Sequence, residues 1–122
     1  MGLTSLAIGR RVDILFLDAR LQGLCESRKK ATQTWGKKVA DKLFQRLADL
    51  AAVGSLFQAF RLPGHCHGLL GNLAGKYAMR LDGGYRLVFE PANDPVPRLP
   101  DSGVDVNKVT MIRIVSVEDY HD

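Results

Sequence analysis

Long apolar runs are missing from this chain: nowhere do about 18 apolar residues follow one another, so no transmembrane helix is expected. Cysteine is scarce. The two present, Cys25 and Cys66, fall in an expected helix and an expected loop and form no disulfide framework, which fits reduced thiols in a cytoplasmic protein. The start, MGLTSLAIGRR, offers only a short apolar stretch with its arginines after it, which argues against a signal peptide. Leu6 breaks the N-myristoylation pattern that Gly2 would begin. Internal repeats and low-complexity segments are also absent. Acidic residues are the minority: 17 Lys and Arg stand against 13 Asp and Glu. The imbalance is uneven. Residues 1–91 carry 14 basic and 7 acidic side chains, and residues 92–122 carry 3 and 6. A basic body suits a polyanion, either nucleic acid or an acidic protein; runs such as Arg28-Lys29-Lys30 and Lys37-Lys38 also serve as solvated helix faces.

What is present suffices for one domain over residues 1–122, long enough to bury a core without metal or disulfide staples. Val12–Leu17 (VDILFL) reads as a first strand, with Asp18 placed to cap a helix after it. Leu21, Leu24 and Cys25 form a short helical stripe that ends in the basic run at 28–30. Trp35, Val39, Leu43, Leu47 and Leu50 form a second, stronger stripe, with Lys38, Asp41, Lys42, Gln45 and Asp49 away from it. Residues 32–36 between the stripes are either a break or a weak spot. Gly54 reads as the helix stop, and residues 55–75 read as connection. Lys76–Phe89 is a β-hairpin. Tyr77, Met79 and Leu81 alternate with polar residues on one arm, Tyr85, Leu87 and Phe89 on the other, and Asp82-Gly83-Gly84 supplies the turn. Residues 91–108, with four prolines, read as an elongated surface loop. Val109–Val117 is apolar at nearly every position and is expected to be a central strand covered on both faces. The order β-α-α-β-β-β predicts an α+β fold, with two N-terminal helices packed on a mostly antiparallel sheet.

Several polar residues fall where that fold would gather them. Arg80 and Arg86 lie on the hairpin, Lys76 begins it, His65 and His67 precede it, and Tyr120-His121 follow the last strand. Cleaving RNA without a metal requires a base to take the 2′-hydroxyl proton, an acid to protonate the leaving 5′-oxygen, and cations to steady the phosphate. Histidine titrates in the working range, arginine's fork matches phosphate oxygens, and an aromatic ring stacks on an unpaired base. The same arginines would equally serve as surface salt bridges to Asp82, Glu90 or Asp119. His65-Cys66-His67 has the spacing of two metal ligands on an extended segment, yet no second cluster completes a coordination set, so no metal is expected. Nothing near Cys66 in sequence would activate it as a nucleophile.

His67-Gly68-Leu69-Leu70-Gly71, then Gly75-Lys76-Tyr77, Arg80, Tyr85-Arg86-Leu87-Val88-Phe89-Glu90-Pro91 and Glu118-Asp119-Tyr120-His121, resemble the RelE/ParE toxin superfamily. The branch they resemble most is the HigB-type plasmid maintenance killer proteins, whose elongated loop PVPRLPDSGVD is similar to. The resemblance covers roughly residues 12–122. It implies a RelE-like fold and the toxin of a type II toxin–antitoxin system that cuts mRNA in the ribosomal A site. It implies no cofactor, and as partner a cognate antitoxin, a helix-turn-helix protein of the HigA type. Carried over by position, His67, Tyr120 and His121 would be catalytic, with His121 the principal proton-transfer group, and Arg80 and Arg86 would hold the RNA phosphate; Lys76, which begins the hairpin, would substitute there for the family lysine replaced by Leu70.

The chain departs from the family pattern H-x-L-K-G-D-R. Leu70, Asn72 and Leu73 stand where a lysine, an acidic and a basic residue are common. Two other functions are therefore implied as alternatives: a non-enzymatic inhibitor of DNA gyrase, as in the ParE branch, or a catalytically weakened homologue that retains antitoxin binding. Tyr120-His121 weigh against the first, and Leu70 to Leu73 suggest the second.

Overall fold

A computed structural model describes residues 11–120. The chain runs β1 (Asp13–Phe16), α1 (Ala19–Glu26), α2 (Arg28–Trp35), α3 (Lys37–Ala52), α4 (Leu56–Ala59), β2 (His67–Gly68), a 3-10 turn (Gly71–Leu73), β3 (Tyr77–Arg80), β4 (Tyr85–Pro91) and β5 (Met111–Asp119). The five strands form one sheet in the order β1-β5-β4-β3-β2. Only β1 and β5 run parallel; the other pairs are antiparallel. The architecture is the expected α+β arrangement, with more helices and one more strand than the sequence showed. Among the described residues no helix is long and apolar enough to cross a membrane.

Local chemistry sets the boundaries. The Asp18 carboxylate accepts from the Leu21 amide at 2.8 Å and caps α1 as expected. Ser27 caps α2 in the same way, its hydroxyl accepting from Lys30 N at 3.1 Å, so the first helical stretch splits ahead of the basic run. Residues 32–36 resolve as a true break at Gly36, whose N–H still closes onto Thr32 O at 2.9 Å. At the far end α3 stops at Ala52 with Val53 extended; Gly54 donates to the Gln58 side chain at 2.7 Å and takes no left-handed turn. Residues 55–75 hold α4 and β2, elements too short to carry a periodic signal.

The apolar stripe of α3 packs as expected, with Val39, Leu43 and Leu50 buried and Trp35 and Leu47 partly so. They meet Met79, Leu87, Phe89, Ile112 and Ile114 of the sheet in one core. Full burial of a side chain such as Phe89 or Leu43 contributes roughly 1.5–3 kcal/mol each. The turn joining β3 to β4 puts both Gly83 (φ 62) and Gly84 (φ 85) in the left-handed region, closed by Tyr85 N donating to Asp82 O at 3.1 Å.

The unbroken apolar run of β5 has a partly different cause from coverage on both faces. Val88 pairs with Ser116 but Phe89 pairs with Ile114, so Val115 is an extra residue in a β-bulge. The bulge switches the strand's parity. Ile112 and Ile114 face the helices on one side of it and Val117 does so on the other, while Arg113, Ser116 and Glu118 face outward.

Candidate functional site

On the sheet face away from the helices, the register lines up one charged row and, beside it, a row whose apolar middle lies between His67 and Ser116. Arg80 pairs with Arg86, and Arg86 with Glu118; His67 pairs with Ala78, Ala78 with Val88, and Val88 with Ser116. Because side chains alternate along a strand, His67, Arg80 and Arg86 share one face. Tyr120 continues from β5, its amide donating to Gly84 O at 2.7 Å, which ties the end of β5 to the hairpin turn. The strands thus bring together four residues that lie up to half the chain apart.

Arg86 is the most constrained of them. Its Nε donates to Glu118 Oε1 at 2.8 Å, and its guanidinium lies 3.9 Å from the centroid of the Tyr120 ring. Only 13 % of its side chain is exposed. An ion pair, a cation–π contact and burial together fix the guanidinium plane, which suits recognition of a planar or tetrahedral oxyanion. Arg80 is exposed and forms none of the ion pairs found among the described residues.

The loop before β2 supplies the opposite wall. His65 takes a left-handed backbone, φ 53, an uncommon conformation that often marks a functional loop. His67 Nδ1 lies 2.8 Å from the His65 carbonyl oxygen, and the two rings are 4.7 Å apart. A carbonyl can only accept, so Nδ1 carries the hydrogen, and in the neutral ring the lone pair is on Nε2. The loop is pinned to β3 by Arg80 N donating to Gly64 O at 2.7 Å. Beneath it Arg46 of α3, 6 % exposed, donates from Nε to Arg80 O at 3.1 Å. Sequence reasoning missed Arg46. Its signal was a charged residue three positions after Leu43 and seven after Val39, on the buried face of α3.

These walls enclose a cavity of about 460 Å³ lined by His65, His67, Arg80, Arg86 and Tyr120 over a floor that includes Ala78 and Met79. A second groove of about 360 Å³ adjoins it, sharing His67, Arg86 and Tyr120 and walled by Leu69, Leu70 and Leu73. The arrangement can hold an anion between two arginines and two histidines, with an aromatic ring at its edge.

Lys76 is not brought to the cavity; its ammonium lies 3.7 Å from Glu90 Oε1, a carboxylate that also accepts from Arg113 at 2.8 Å. Arg86 pairs with Glu118 rather than with the carboxylates the sequence suggested. His121 lies outside the described residues. Cys66 is buried and its thiol is pushed up to about 12 by that burial, so it is un-ionised at neutral pH. Both cysteines are free. Among the described residues no three His, Cys, Asp or Glu side chains gather as a coordination set.

No family model matches the chain, and no curated protein matches it in sequence. Solved structures do. A YoeB–YefM complex from Staphylococcus aureus contains a chain 23% identical, with TM-score 0.54, the match covering 92% of this chain and 99% of that one. A YoeB dimer from the same organism is 24% identical with TM-score 0.52. A YoeB/ParE toxin from Agrobacterium tumefaciens is 11% identical with TM-score 0.55, the match covering 90% of this chain and all of that one. What they share with this chain is the architecture, helices on a mostly antiparallel sheet over nearly the full length.

Proposed function

We propose that this chain is the toxin of a type II toxin–antitoxin pair and cuts mRNA on the ribosome without a metal. The reading is carried by the convergence of His67, Arg80, Arg86 and Tyr120 on one cavity. The scissile phosphate sits between the two guanidinium groups. Arg86 is pre-aimed by Glu118 and Tyr120, so little ordering remains when the charge on the phosphate grows. The 2′-oxygen attacks phosphorus, its proton passes to an imidazole, and the 5′-oxygen leaves with a proton from a second acid; the products are a 2′,3′-cyclic phosphate and a 5′-hydroxyl. His121, the residue after Tyr120, is assigned the principal proton transfer on the sequence resemblance. His67, with Nε2 as its acceptor, is its partner or contacts the phosphate. Tyr120 orients Arg86 or stacks on a base.

The partner is a cognate antitoxin in the cytoplasm, of the HigA helix-turn-helix type on the sequence resemblance. The solved complex with YefM supports an antitoxin without fixing its type. Expression in a bacterial host tests the reading. Wild type arrests growth with mRNA cut within open reading frames, and His121→Ala relieves both. Arrest with intact mRNA and inhibited gyrase supercoiling would replace this reading with the ParE-like one. No arrest, together with tight antitoxin binding, would leave a non-catalytic homologue.

A further inference from the structure

We propose that the leucine-walled groove beside Arg86 and Tyr120 is a nucleobase slot, which seats an unpaired base next to the phosphate held in the main cavity. The proposal rests on the RNA-cleaving reading above and adds to it a determinant of affinity. Leu70 is 87 % exposed, far beyond any other large apolar side chain among the described residues. Its backbone is nonetheless held. Leu73 N donates to Leu70 O at 3.2 Å in the 3-10 turn, and Leu69 N donates to Lys76 O at 2.9 Å across from β3. The backbone thus fixes where this solvent-facing leucine presents its apolar surface.

The neighbouring groups select the ligand class. The groove shares His67, Arg86 and Tyr120 with the cationic cavity and adds Leu69, Leu70 and Leu73, so an apolar wall stands directly beside an anion-binding site. Single-stranded nucleic acid repeats that pairing at short range, a charged phosphate beside a flat, weakly polar base. Such bases bind by stacking on aromatic and apolar side chains with little demand for sequence. Arg86 lies on the Tyr120 ring at 3.9 Å and steadies one wall, while Leu70 and Leu73 supply the other. An amphipathic protein helix carries apolar anchors at i, i+3, i+4 and i+7 and needs an apolar groove about two turns long to take them; here the aliphatic lining is three leucines within five residues, bordered by His67 and Arg86.

Binding of a non-cleavable 2′-O-methyl oligoribonucleotide, compared with one of equal length and charge carrying abasic residues, tests this in the full chain by fluorescence anisotropy. Wild type is expected to prefer the base-bearing strand by about tenfold, the low end of what stacking one base delivers. Leu70→Ser with Leu73→Ser should erase most of that preference and leave the salt dependence unchanged, with folding checked by circular dichroism. Equal binding of both strands by wild type overturns the slot, as does full preference in the double-serine variant. If neither strand binds, the slot is overturned, while the RNA-cleaving reading stands or falls separately on cleavage of mRNA on ribosomes.

Discussion

Gly64→Ala tests how the site is held up. Gly64 has φ +107, and a Cβ built there would lie 2.5 Å from Arg46 Nε and 3.1 Å from its Cδ and Cζ. The methyl must displace the guanidinium that donates to Arg80 O, and Gly64 O is the acceptor for Arg80 N. Two costs add. Placing a side chain at that φ costs of order 1–3 kcal/mol. Losing a hydrogen bond from a charged group costs about 1.5–3 kcal/mol. The sum, roughly 2.5–6 kcal/mol, is a large part of the 5–15 kcal/mol that holds a domain folded. A double-mutant cycle separates the parts. In an Arg46→Ala background the clash is gone and only backbone strain remains, so Gly64→Ala should cost about 1.5–3 kcal/mol less there. Urea unfolding of the four proteins reads the difference from their midpoints. An equal cost in both backgrounds, or a cost below about 1 kcal/mol in the native one, would refute the argument.

Phe89→Ala empties the centre of the core and should cost about 3–5 kcal/mol by urea unfolding; a loss below 1 kcal/mol would mean Phe89 is not packed there. Arg86→Lys keeps the charge but loses the fork that meets Glu118 and Tyr120. In a ribosome-programmed cleavage assay it should lower the rate by on the order of tenfold, and Arg86→Ala by on the order of a hundredfold; equal losses would show that only charge matters. Burial pushes Cys66 up to about 12 and Cys25 to about 11, from an ordinary value of 9.0. The folded chain therefore keeps protons that the unfolded chain releases. Their stabilisation is full below pH 9.0 and falls as pH rises towards the folded values, by at most about 1.4 kcal/mol per unit for each thiol. Cys66→Ala should flatten the fall measured by urea unfolding between pH 9 and about 10; an unchanged slope contradicts the assignment.

The hairpin was legible because its turn residues and its alternation encode the same register: Asp82-Gly83-Gly84 makes the turn, and Arg80 then must oppose Arg86. Asp18 was legible for a similar reason, since capping is decided within three residues. What required the structure was long-range. The bulge at Val115 decides that Glu118 rather than Val117 shares a face with Arg86, and a bulge leaves no periodic mark in an apolar run. Arg46 falls on the apolar stripe of α3, but its partner, the Arg80 carbonyl, is visible only once β3 is placed beside it. β2 is two residues long and exists only because β3 offers an edge. The departure at Leu70 to Leu73 was visible as missing polar groups; the structure recasts it as an apolar wall beside a cationic cavity.

The most direct measurement of the central claim places one 2′-O-methyl group in the mRNA codon cut by the wild-type protein on ribosomes. If the cavity of His67, Arg80, Arg86 and Tyr120 supports attack by the adjacent 2′-oxygen, unmodified mRNA is cut to give a 5′-hydroxyl end, and the methylated site is left intact. Cleavage that continues at the methylated position, or that leaves a 5′-phosphate, would contradict it.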